Sequence, residues 1–287
     1  MAKIPSHTLC AIAKSFDHLF FVALRLNQLK NCNTMETKQL FLALCAFLVL
    51  SSCSEQETNL EVPLDGFSFA KQNWQQNTLS SSFFENQSKI SHYTFSKKDL
   101  ALSLSDPNLS NFRFVLGLEK DQIIIKLIGV NHLGEEISTV SSYANRSLDS
   151  YTASIESLEN SGFQYSKAKL ENPIVGKHLL SYSSSYDYIS QWNEALQSRD
   201  IENLITDDGI RFKYYSLEKE VVLDMLSTDR VASIGLFLGL NAENKLTTVF
   251  LTKDSLDNLI VHPLNKNDVG EGGNAYDFTR PCPNTCD

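Results

Sequence analysis

The sequence predicts an α+β protein made of two similar helix–strand–helix–β-hairpin modules packed as a pseudo-symmetric pair. Three observations indicate this fold. Helical periodicity alternates with strands in which every second residue is apolar. One hairpin stretch occurs twice, as FRFVLGLEKDQIIIKLIGVNHLGEEI over 112–137 and as IGLFLGLNAENKLTTVFLTKDSLDNLI over 234–260. A duplicated module seldom leaves its apolar face bare, so the two copies are expected to pack together.

The two copies align once one residue is inserted at the first turn. The aligned pairs are Phe114 with Leu236, Leu116 with Leu238, Gly117 with Gly239, Leu118 with Leu240, Ile123 with Leu246, Leu133 with Leu256 and Ile137 with Ile260. The repeated features are apolar alternation, one glycine and turn positions. Arg113 and His132 do not repeat in the second copy, and His132 aligns with Ser255. The duplication therefore predicts a core-forming scaffold used twice, not chemistry used twice.

The first module is predicted to begin with a helix around Trp74 and to continue with an alternating strand over 90–95. The tetrapeptide from Ser96 to Asp99 fits an S-x-x-[DE] capping box, in which both side chains satisfy backbone N–H groups at a helix start. That helix is expected to end at Pro107. The hairpin follows, and its second strand is apolar on both faces, which predicts cover from both sides.

The second module is predicted from equivalent signals. Trp192 is the counterpart of Trp74, and 212–215 is matched to the strand at 93–95. One further helix is predicted between the modules, around 150–160. The stretch 192–201 also resembles the first helix of NTF2-like domains, but the repeat favours the duplicated architecture.

These signals divide the chain into seven segments. They are an over-called start (1–34), a lipoprotein signal peptide (35–52), a tether (53–68), module 1 (69–137), a connector (138–185), module 2 (186–262) and a linker with a Cys-containing tail (263–287).

The N-terminal part carries a targeting signal. Residues 40–50 read LFLALCAFLVL, an unbroken apolar run of 11 residues, whereas a membrane span needs about 20 and a signal-peptide core about 7 to 15. The run ends at Leu50, Ser51, Ser52 and Cys53, which resembles the lipobox of bacterial lipoproteins. That resemblance implies cleavage before Cys53 and lipidation of its thiol, and acyl chains would then anchor the protein in a membrane. The alternative is a buried helix with a free cysteine.

The lipobox resemblance also predicts where the signal peptide starts and where the protein is located. Met35 and Lys38 fit the start of such a signal, which leaves 1–34 as an over-called start or a functional extension. Ser54 is not the aspartate that retains many lipoproteins in the inner membrane, so the expected location is the cell envelope, at the outer membrane. Glu55 and Glu57 resemble the acidic surface-export signal of Bacteroidota lipoproteins, although a solvated tether explains them equally well.

A second resemblance covers about 70–137 and the tail. It is carried by HYTFS at 92–96, by the F-R-F-x-x-G-L pattern starting at Phe112, by I-x-L-I-G-V-N-x-x-G starting at Ile125, and by the cysteine–proline tail. Together these resemble an uncharacterised Bacteroidota protein family. The chain departs from the family at 106–108, where Asp-Pro-Asn replaces a Gln-Pro-Gly turn. The resemblance implies no activity and no catalytic residue.

The net charge limits which binding partners are expected, and the cysteine content limits which disulfide can form. The formal net charge is −9, without a block of basic residues, so no nucleic-acid partner is expected. The expected partners are the membrane, through the lipid anchor, and an envelope protein or ligand. Only Cys282 and Cys286 lie downstream of Cys53, and in an oxidising envelope they most simply form a local disulfide. Intermolecular or redox thiols and a soft-metal site remain alternatives.

The other polar residues give no catalytic or metal pattern. His92, His132, His178 and His262 show no mutual ligand spacing, so they are interpreted as surface or satisfied core histidines. The Gly-rich stretch 267–274 lacks the ligand alternation of a Ca²⁺ loop and is interpreted as a linker. No catalytic residue, metal ligand or cofactor is assigned. The predicted function is a lipid-anchored envelope protein acting as a binding or structural module, and the alternative is an enzyme or small-ligand binder with its site between the modules.

Overall fold

The computed structural model describes residues 66–146, 149–159, 167–261, 275–277 and 280–282. The chain divides into two compact units, 1–62 and 63–287. All described residues belong to the second unit. The predicted signal peptide and most of the predicted tether lie outside the described residues.

The described helices alternate with strands along the chain. They are α1 (Gly66–Gln76), α2 (Ser81–Gln87), α3 (Lys97–Leu104), α4 (Asp149–Glu159), α5 (Lys167–Leu170), α6 (Tyr182–Ser198) and α7 (Lys219–Met225), with a 3₁₀ turn at Gly176–His178.

The described strands form two large sheets and one two-stranded ribbon. They are β1 (His92–Ser96), β2 (Asn111–Glu119), β3 (Gln122–Val130), β4 (Glu136–Ser141), β5 (Tyr143–Asn145), β6 (Leu179–Leu180), β7 (Thr206–Asp207), β8 (Ile210–Arg211), β9 (Tyr214–Glu218), β10 (Ser233–Leu240), β11 (Leu246–Lys253), β12 (Ala275–Tyr276) and β13 (Arg280–Cys282). The α+β class predicted from the sequence is confirmed.

The two sheets have matching strand orders. Sheet A runs β5-β1-β10-β11-β12-β6 and sheet B runs β13-β9-β2-β3-β4, with antiparallel neighbours throughout. Each module's first strand therefore pairs with the other module's hairpin, since β1 joins β10 and β9 joins β2. The two modules exchange strands in this way instead of merely packing side by side.

The pairing registers reproduce the duplication. Tyr93 pairs with Leu236, and Tyr215 pairs with Phe114, so the sequence-aligned Phe114 and Leu236 face equivalent tyrosines. Matching 212–215 to 93–95 was wrong by two residues, because 214–218 is the counterpart of β1. The shift kept the apolar residues on the same face, which is why alternation alone did not reveal it.

The core lies between the two sheets. Their inner faces contribute to one buried cluster that includes Phe95, Phe114, Leu236 and Phe250. Helix α3 carries the chain from sheet A to sheet B, and α7 carries it back. Leu100 of α3 and Val221 of α7 are buried in the same cluster, so these helices close the core where the chain crosses.

The outer faces carry the remaining helices. Helix α1 lies on sheet B, and a Cβ on Gly117 would be 3.0 Å from the Ala70 Cβ. Helix α6 lies on sheet A, and a Cβ on Gly239 would be 3.0 Å from the Tyr188 Cβ. The repeated glycine therefore allows close helix–sheet approach in both copies, and it places Trp74 and Trp192 at equivalent positions, four residues after Ala70 and Tyr188.

The predicted capping box is present in altered form. Ser96 is the N-cap of α3, and its Oγ accepts from the Asp99 backbone N–H at 3.1 Å. The Ser96 hydroxyl in turn donates to Asp99 Oδ2 at 2.7 Å. The Asp99 carboxylate thus accepts from the serine side chain instead of the expected backbone N–H.

Three predicted boundaries need correction. The connector was predicted from 138, but β4 and β5 extend the sheet strands of module 1 to Asn145. The linker and tail were predicted over 263–287, but β12 and β13 add to sheets A and B. Module 2 was predicted from 186, but its helix α6 begins at Tyr182. Strands of two or three residues are too short to show alternation, which explains why the sequence pattern missed most of them. The predicted connector helix is confirmed as α4.

Candidate functional site

The seam between the modules is occupied by side chains of both. Tyr93 on sheet A donates its hydroxyl to the Ile123 carbonyl on sheet B at 2.8 Å. Tyr215 on sheet B donates to the Leu246 carbonyl on sheet A at 2.6 Å. Burial raises the pKa of both phenols above the usual 10.0. A shared apolar core that two matched hydrogen bonds join lies between the sheets, and a surface depression of about 410 Å³ lies between 107–111 of module 1 and 218–220 of module 2.

One buried polar cluster lies at the edge of this seam. His178 is 1% exposed, and its Nδ1 lies 2.9 Å from the Asp277 carbonyl oxygen. Its Nε2 lies 2.9 Å from Glu218 Oε2, while Lys177 Nζ lies 2.6 Å from Glu218 Oε1. Because Glu218 is on sheet B and Asp277 follows the sheet A strand β12, this histidine connects the two sheets.

In the His178 cluster, the charged side chains pair with one another. The hydrogen bond from His178 and the neighbouring Lys177 hold the pKa of the Glu218 carboxyl well below its usual range, against the opposing effect of burial. Both histidine nitrogens face oxygen acceptors, so the imidazolium form satisfies both contacts. The carboxylate is already engaged on both oxygens, which does not suit it to act as a general base.

A second buried cluster surrounds His92 on the outer side of sheet A. Lys253 is 1% exposed, and its Nζ lies 2.6 Å from His92 Nε2. Asn145 Nδ2 lies 2.9 Å from the same nitrogen, and the Phe237 ring lies 4.9 Å from the imidazole ring. Lys253 also forms an ion pair with Asp257.

The His92 cluster favours a neutral imidazole. Burial and the Lys253 charge lower its pKa from 6.5 to about 3. With Nε2 accepting from two donors, the ring proton belongs on Nδ1, which lies 2.9 Å from Ser91 Oγ. Burial also lowers the pKa of Lys253, and Asp257 opposes that effect. Since His92 and Lys253 are both buried and mutually bonded, they stabilise the β1–β5–β11 region.

The outer face of sheet B differs from these closed clusters. We define the basic face as Phe67, Lys71, Arg113, Val115, Lys126, Ile128, Lys213 and Tyr214. Val115 and Ile128 form its apolar floor and belong to a small buried cluster with the partly buried Phe67 and Tyr214. The three cations Lys71, Arg113 and Lys126 are half-buried, and Lys213 is exposed.

The cations of the basic face contact aromatic rings. Lys126 Nζ lies 4.9 Å and Lys71 Nζ 5.8 Å from the centre of the Phe67 ring. The Arg113 guanidinium lies 4.9 Å from the Tyr214 ring centre and donates to the Gly134 carbonyl at 3.2 Å. These cation–π contacts hold the positive groups over apolar surface.

The described ranges contain both ion-paired and unpaired basic side chains, and the lysines of this face belong to the unpaired group, as Lys89 and Lys98 do. Several basic side chains elsewhere pair with carboxylates, namely Lys169 with Asp224, Lys177 with Glu218, Arg211 with Glu202 and Lys253 with Asp257. Lys71, Lys126 and Lys213 form no ion pair with any residue in the described ranges. In a chain of net charge −9, these lysines form a local positive surface.

Two surface depressions flank the Phe67 and Lys126 side chains. The first, about 230 Å³, includes Lys71, Arg113, Val115, Tyr214 and one carboxylate, Glu136, in its lining. The second, about 390 Å³, includes Phe67, Lys126 and Ile124 in its lining. Neither depression is a fully enclosed cavity.

The positions of sheet A that correspond to Lys71, Arg113 and Lys126 carry no cation. The registers place Gly235 where sheet B has Arg113 and Val249 where it has Lys126. On the helices, the residue after Tyr188 is Ile189 and the residue after Ala70 is Lys71. Three cations on one face thus correspond to a glycine and two apolar residues on the other.

The residues singled out from the sequence are not brought together. Leu50, Ser51, Ser52, Cys53, His262 and Cys286 lie outside the described residues. Cys282 is buried on β13, and its predicted disulfide with Cys286 stays a prediction. His132 is exposed in the β3–β4 turn, whereas His92 and His178 are buried and hydrogen-bonded, as the core-histidine interpretation expected.

The described ranges contain neither a membrane-spanning helix nor a metal-binding group. No helix there is long and apolar enough to cross a bilayer. Within the same ranges, no three His, Cys, Asp or Glu side chains are grouped so that they would hold a metal ion.

The fold and site define a duplicated α+β scaffold with one basic outer face. Comparison with protein families, curated proteins and solved structures finds no match.

Sequence reasoning missed the lysines of the basic face. Lys71, Lys126 and Lys213 are scattered along the chain, and single cations are usually solvated surface residues. One signal was present, because Arg113 lies in the repeated stretch where the second copy has Gly235. A comparison restricted to outward-facing positions of the repeat would have found Lys126 against Val249 in the same way.

Proposed function

We propose that the protein is a lipid-anchored cell-envelope protein that binds an anionic partner and does not catalyse a reaction. The single observation that supports binding is the basic face, where lysines without carboxylate partners lie over an apolar floor. The lipobox ending at Cys53 supports attachment to a membrane, and Ser54 supports the outer membrane. The resemblance to Bacteroidota lipoproteins supports the same location.

The alternative, an enzyme or small-ligand binder with a site between the modules, has weaker support. Its site would need convergent polar groups around a cavity at the seam. The inner seam residues described above are apolar and buried. In the polar depression between 107–111 and 218–220, Glu218 is already bonded to Lys177 and His178.

The anchoring half of the proposal is tested by Cys53→Ala. The wild-type protein should fractionate with membranes after expression in a bacterium that processes lipoproteins, and it should carry acyl chains detectable by mass spectrometry. The variant should remain uncleaved and unacylated. Ser54→Ala serves as the matched control and should be acylated normally. Normal acylation of the Cys53→Ala variant would overturn the proposal.

The binding half is tested with an anionic polymer, immobilised dextran sulfate. Lys71→Glu combined with Lys126→Glu should elute at clearly lower salt than the wild type, since it removes the charges of the basic face. Lys89→Glu combined with Lys98→Glu is the matched control, because both lysines are exposed and the net charge changes equally. Equal elution of the two double variants would overturn the basic face as a binding surface.

A further inference from the structure

The outer faces of the two sheets are equivalent in position but unequal in cover. Every residue of β10 and β11 in sheet A is buried. In sheet B, by contrast, β2 and β3 keep half-buried outward positions at Arg113, Ile124 and Lys126. Sheet A therefore has a covering element that sheet B lacks within the described ranges.

That covering element is the connector helix α4. Its Ile155 and Leu158 are buried in a cluster with Phe237, Val249 and Leu251 on the outer side of sheet A. Its Glu156 and Glu159 side chains are exposed. Helix α4 is thus an amphipathic helix that packs beside α6, and it lies in the connector between the two copies.

Because the two sheets are equivalent, the packing of the amphipathic α4 helix on sheet A indicates how a helix would pack on the corresponding face of sheet B. Helix α1 lies on sheet B as α6 lies on sheet A, at the Gly117 and Gly239 contacts. The space beside α1 is floored by Val115 and Ile128, the counterparts of Phe237 and Leu251 in the pairing registers. A second helix beside α1 would meet an apolar strip of the same kind that α4 covers.

The residues that differ between the outer faces of sheets A and B indicate which chemical groups a helix docked on sheet B would carry. Val249 belongs to the cluster that α4 covers, whereas sheet B has Lys126 at the equivalent position, with Arg113 and Lys71 on the same face. A purely apolar helix would bury the Lys71 and Lys126 ammonium groups without supplying a carboxylate to pair with them, at a cost in desolvation. Carboxylates beside an apolar stripe would instead pair with them over the Phe67 and Tyr214 rings.

We propose that the basic face docks an amphipathic helix of a partner protein, with acidic residues flanking its apolar stripe. This inference rests on the proposed binding function and names its partner class. It uses the helix-in-groove mode, in which apolar anchors give affinity and flanking charges give orientation.

The test uses a fluorescent synthetic amphipathic helix with leucines on one face and flanking glutamates. Its anisotropy is measured with the purified full-length protein carrying Cys53→Ala. Affinity should fall about tenfold or more in Lys71→Glu combined with Lys126→Glu, and it should be unchanged in Lys89→Glu combined with Lys98→Glu. A peptide with lysines in place of the glutamates should bind the Lys71→Glu/Lys126→Glu variant better than it binds the Lys89→Glu/Lys98→Glu variant, whose net charge is the same.

Each further outcome has a definite meaning. Equal binding of a scrambled peptide of the same composition would overturn the helix while leaving an anionic-partner function intact. Binding of phosphatidylglycerol vesicles through the same lysines, without peptide binding, would replace the partner protein with a lipid surface and overturn the inference. Absence of both peptide and dextran sulfate binding would overturn the proposed function itself.

Discussion

The Tyr93 hydroxyl donates to the Ile123 carbonyl across the two sheets at 2.8 Å, and Tyr215 repeats this contact with Leu246 at 2.6 Å. The acceptors Ile123 and Leu246 are aligned in the sequence repeat, and the donors are equivalent in the pairing registers. The pseudo-symmetry of the fold therefore extends to individual hydrogen bonds in the core.

Removing either hydroxyl should destabilise the protein by a similar amount. Tyr93→Phe and Tyr215→Phe each leave a buried carbonyl without that partner, which costs about 1 to 3 kcal/mol. Urea denaturation followed by circular dichroism measures the change. Tyr143→Phe is the control and should have no effect, because that side chain is 67% exposed. A loss in only one of the two core variants would contradict their equivalence.

The repeated glycine should tolerate no side chain. Gly117→Ala and Gly239→Ala each place a Cβ 3.0 Å from a helix Cβ, so α1 or α6 must move away from its sheet. We expect each to lower the free energy of unfolding by about 1 to 3 kcal/mol, as overpacking does. Gly66→Ala is the control, since nothing lies within 4 Å of the added Cβ. Equal stability of all three variants in thermal melts would refute the close-approach role.

The repeat in the sequence predicted much of the core and little of the surface. Alternation placed Phe114 and Leu236 on inner faces because burial on one face leaves a period of two. It also predicted the glycine pair and even the turns, where Asn131 Oδ1 and Asp254 Oδ1 each accept from the backbone N–H two residues on, at 2.9 Å and 2.8 Å.

The exchange of β1 and β9 between modules was not predictable from the pattern. A short strand such as β1 presents the same apolar face to either hairpin, so local alternation does not choose the partner. The basic face was not predicted from the sequence, for a different reason. Lys71 and Lys126 are 55 positions apart in the chain and meet only because both contact Phe67.

Arg211 should be intolerant of a lysine replacement. Its guanidinium contacts Glu202 at 2.9 Å and 2.8 Å and also donates to the Trp74 and Asn77 carbonyls at 2.6 Å and 2.8 Å. Lysine supplies one charge but cannot reproduce this fork, so Arg211→Lys should cost about 2 to 4 kcal/mol in urea denaturation.

The matched control is Arg199→Lys. Arg199 NH2 lies 3.8 Å from Glu85 Oε1, and both side chains are more than half exposed. A surface pair of this kind contributes about 0 to 1 kcal/mol. If the two arginine variants lost the same stability, the buried network around Arg211 would not hold α1 to β8 as its contacts indicate.

Acid should destabilise the protein through His92. Its folded pKa is about 3 against an ordinary 6.5, so the folded state binds fewer protons than the unfolded state between these values. The associated stability is fully present above pH 6.5 and is lost as the pH falls toward 3, by up to about 1.4 kcal/mol per pH unit. His92→Gln keeps a hydrogen-bond acceptor near Lys253 but does not titrate. Its unfolding free energy, measured by urea titration at each pH, should therefore fall less steeply than that of the wild type.

Glu218 also makes the folded state less stable in acid. The wild type must therefore be compared with His92→Gln to isolate the contribution of His92. The pKa of its carboxyl lies below 4.5 in the fold, so its contribution is present above that pH and is lost under more acidic conditions. Between pH 6.5 and 4.5, however, the difference between wild type and His92→Gln reports on His92. His132→Gln removes an exposed histidine and should leave the wild-type slope unchanged. If His92→Gln and the wild type lost stability in parallel over that interval, the neutral, buried state of His92 would be wrong.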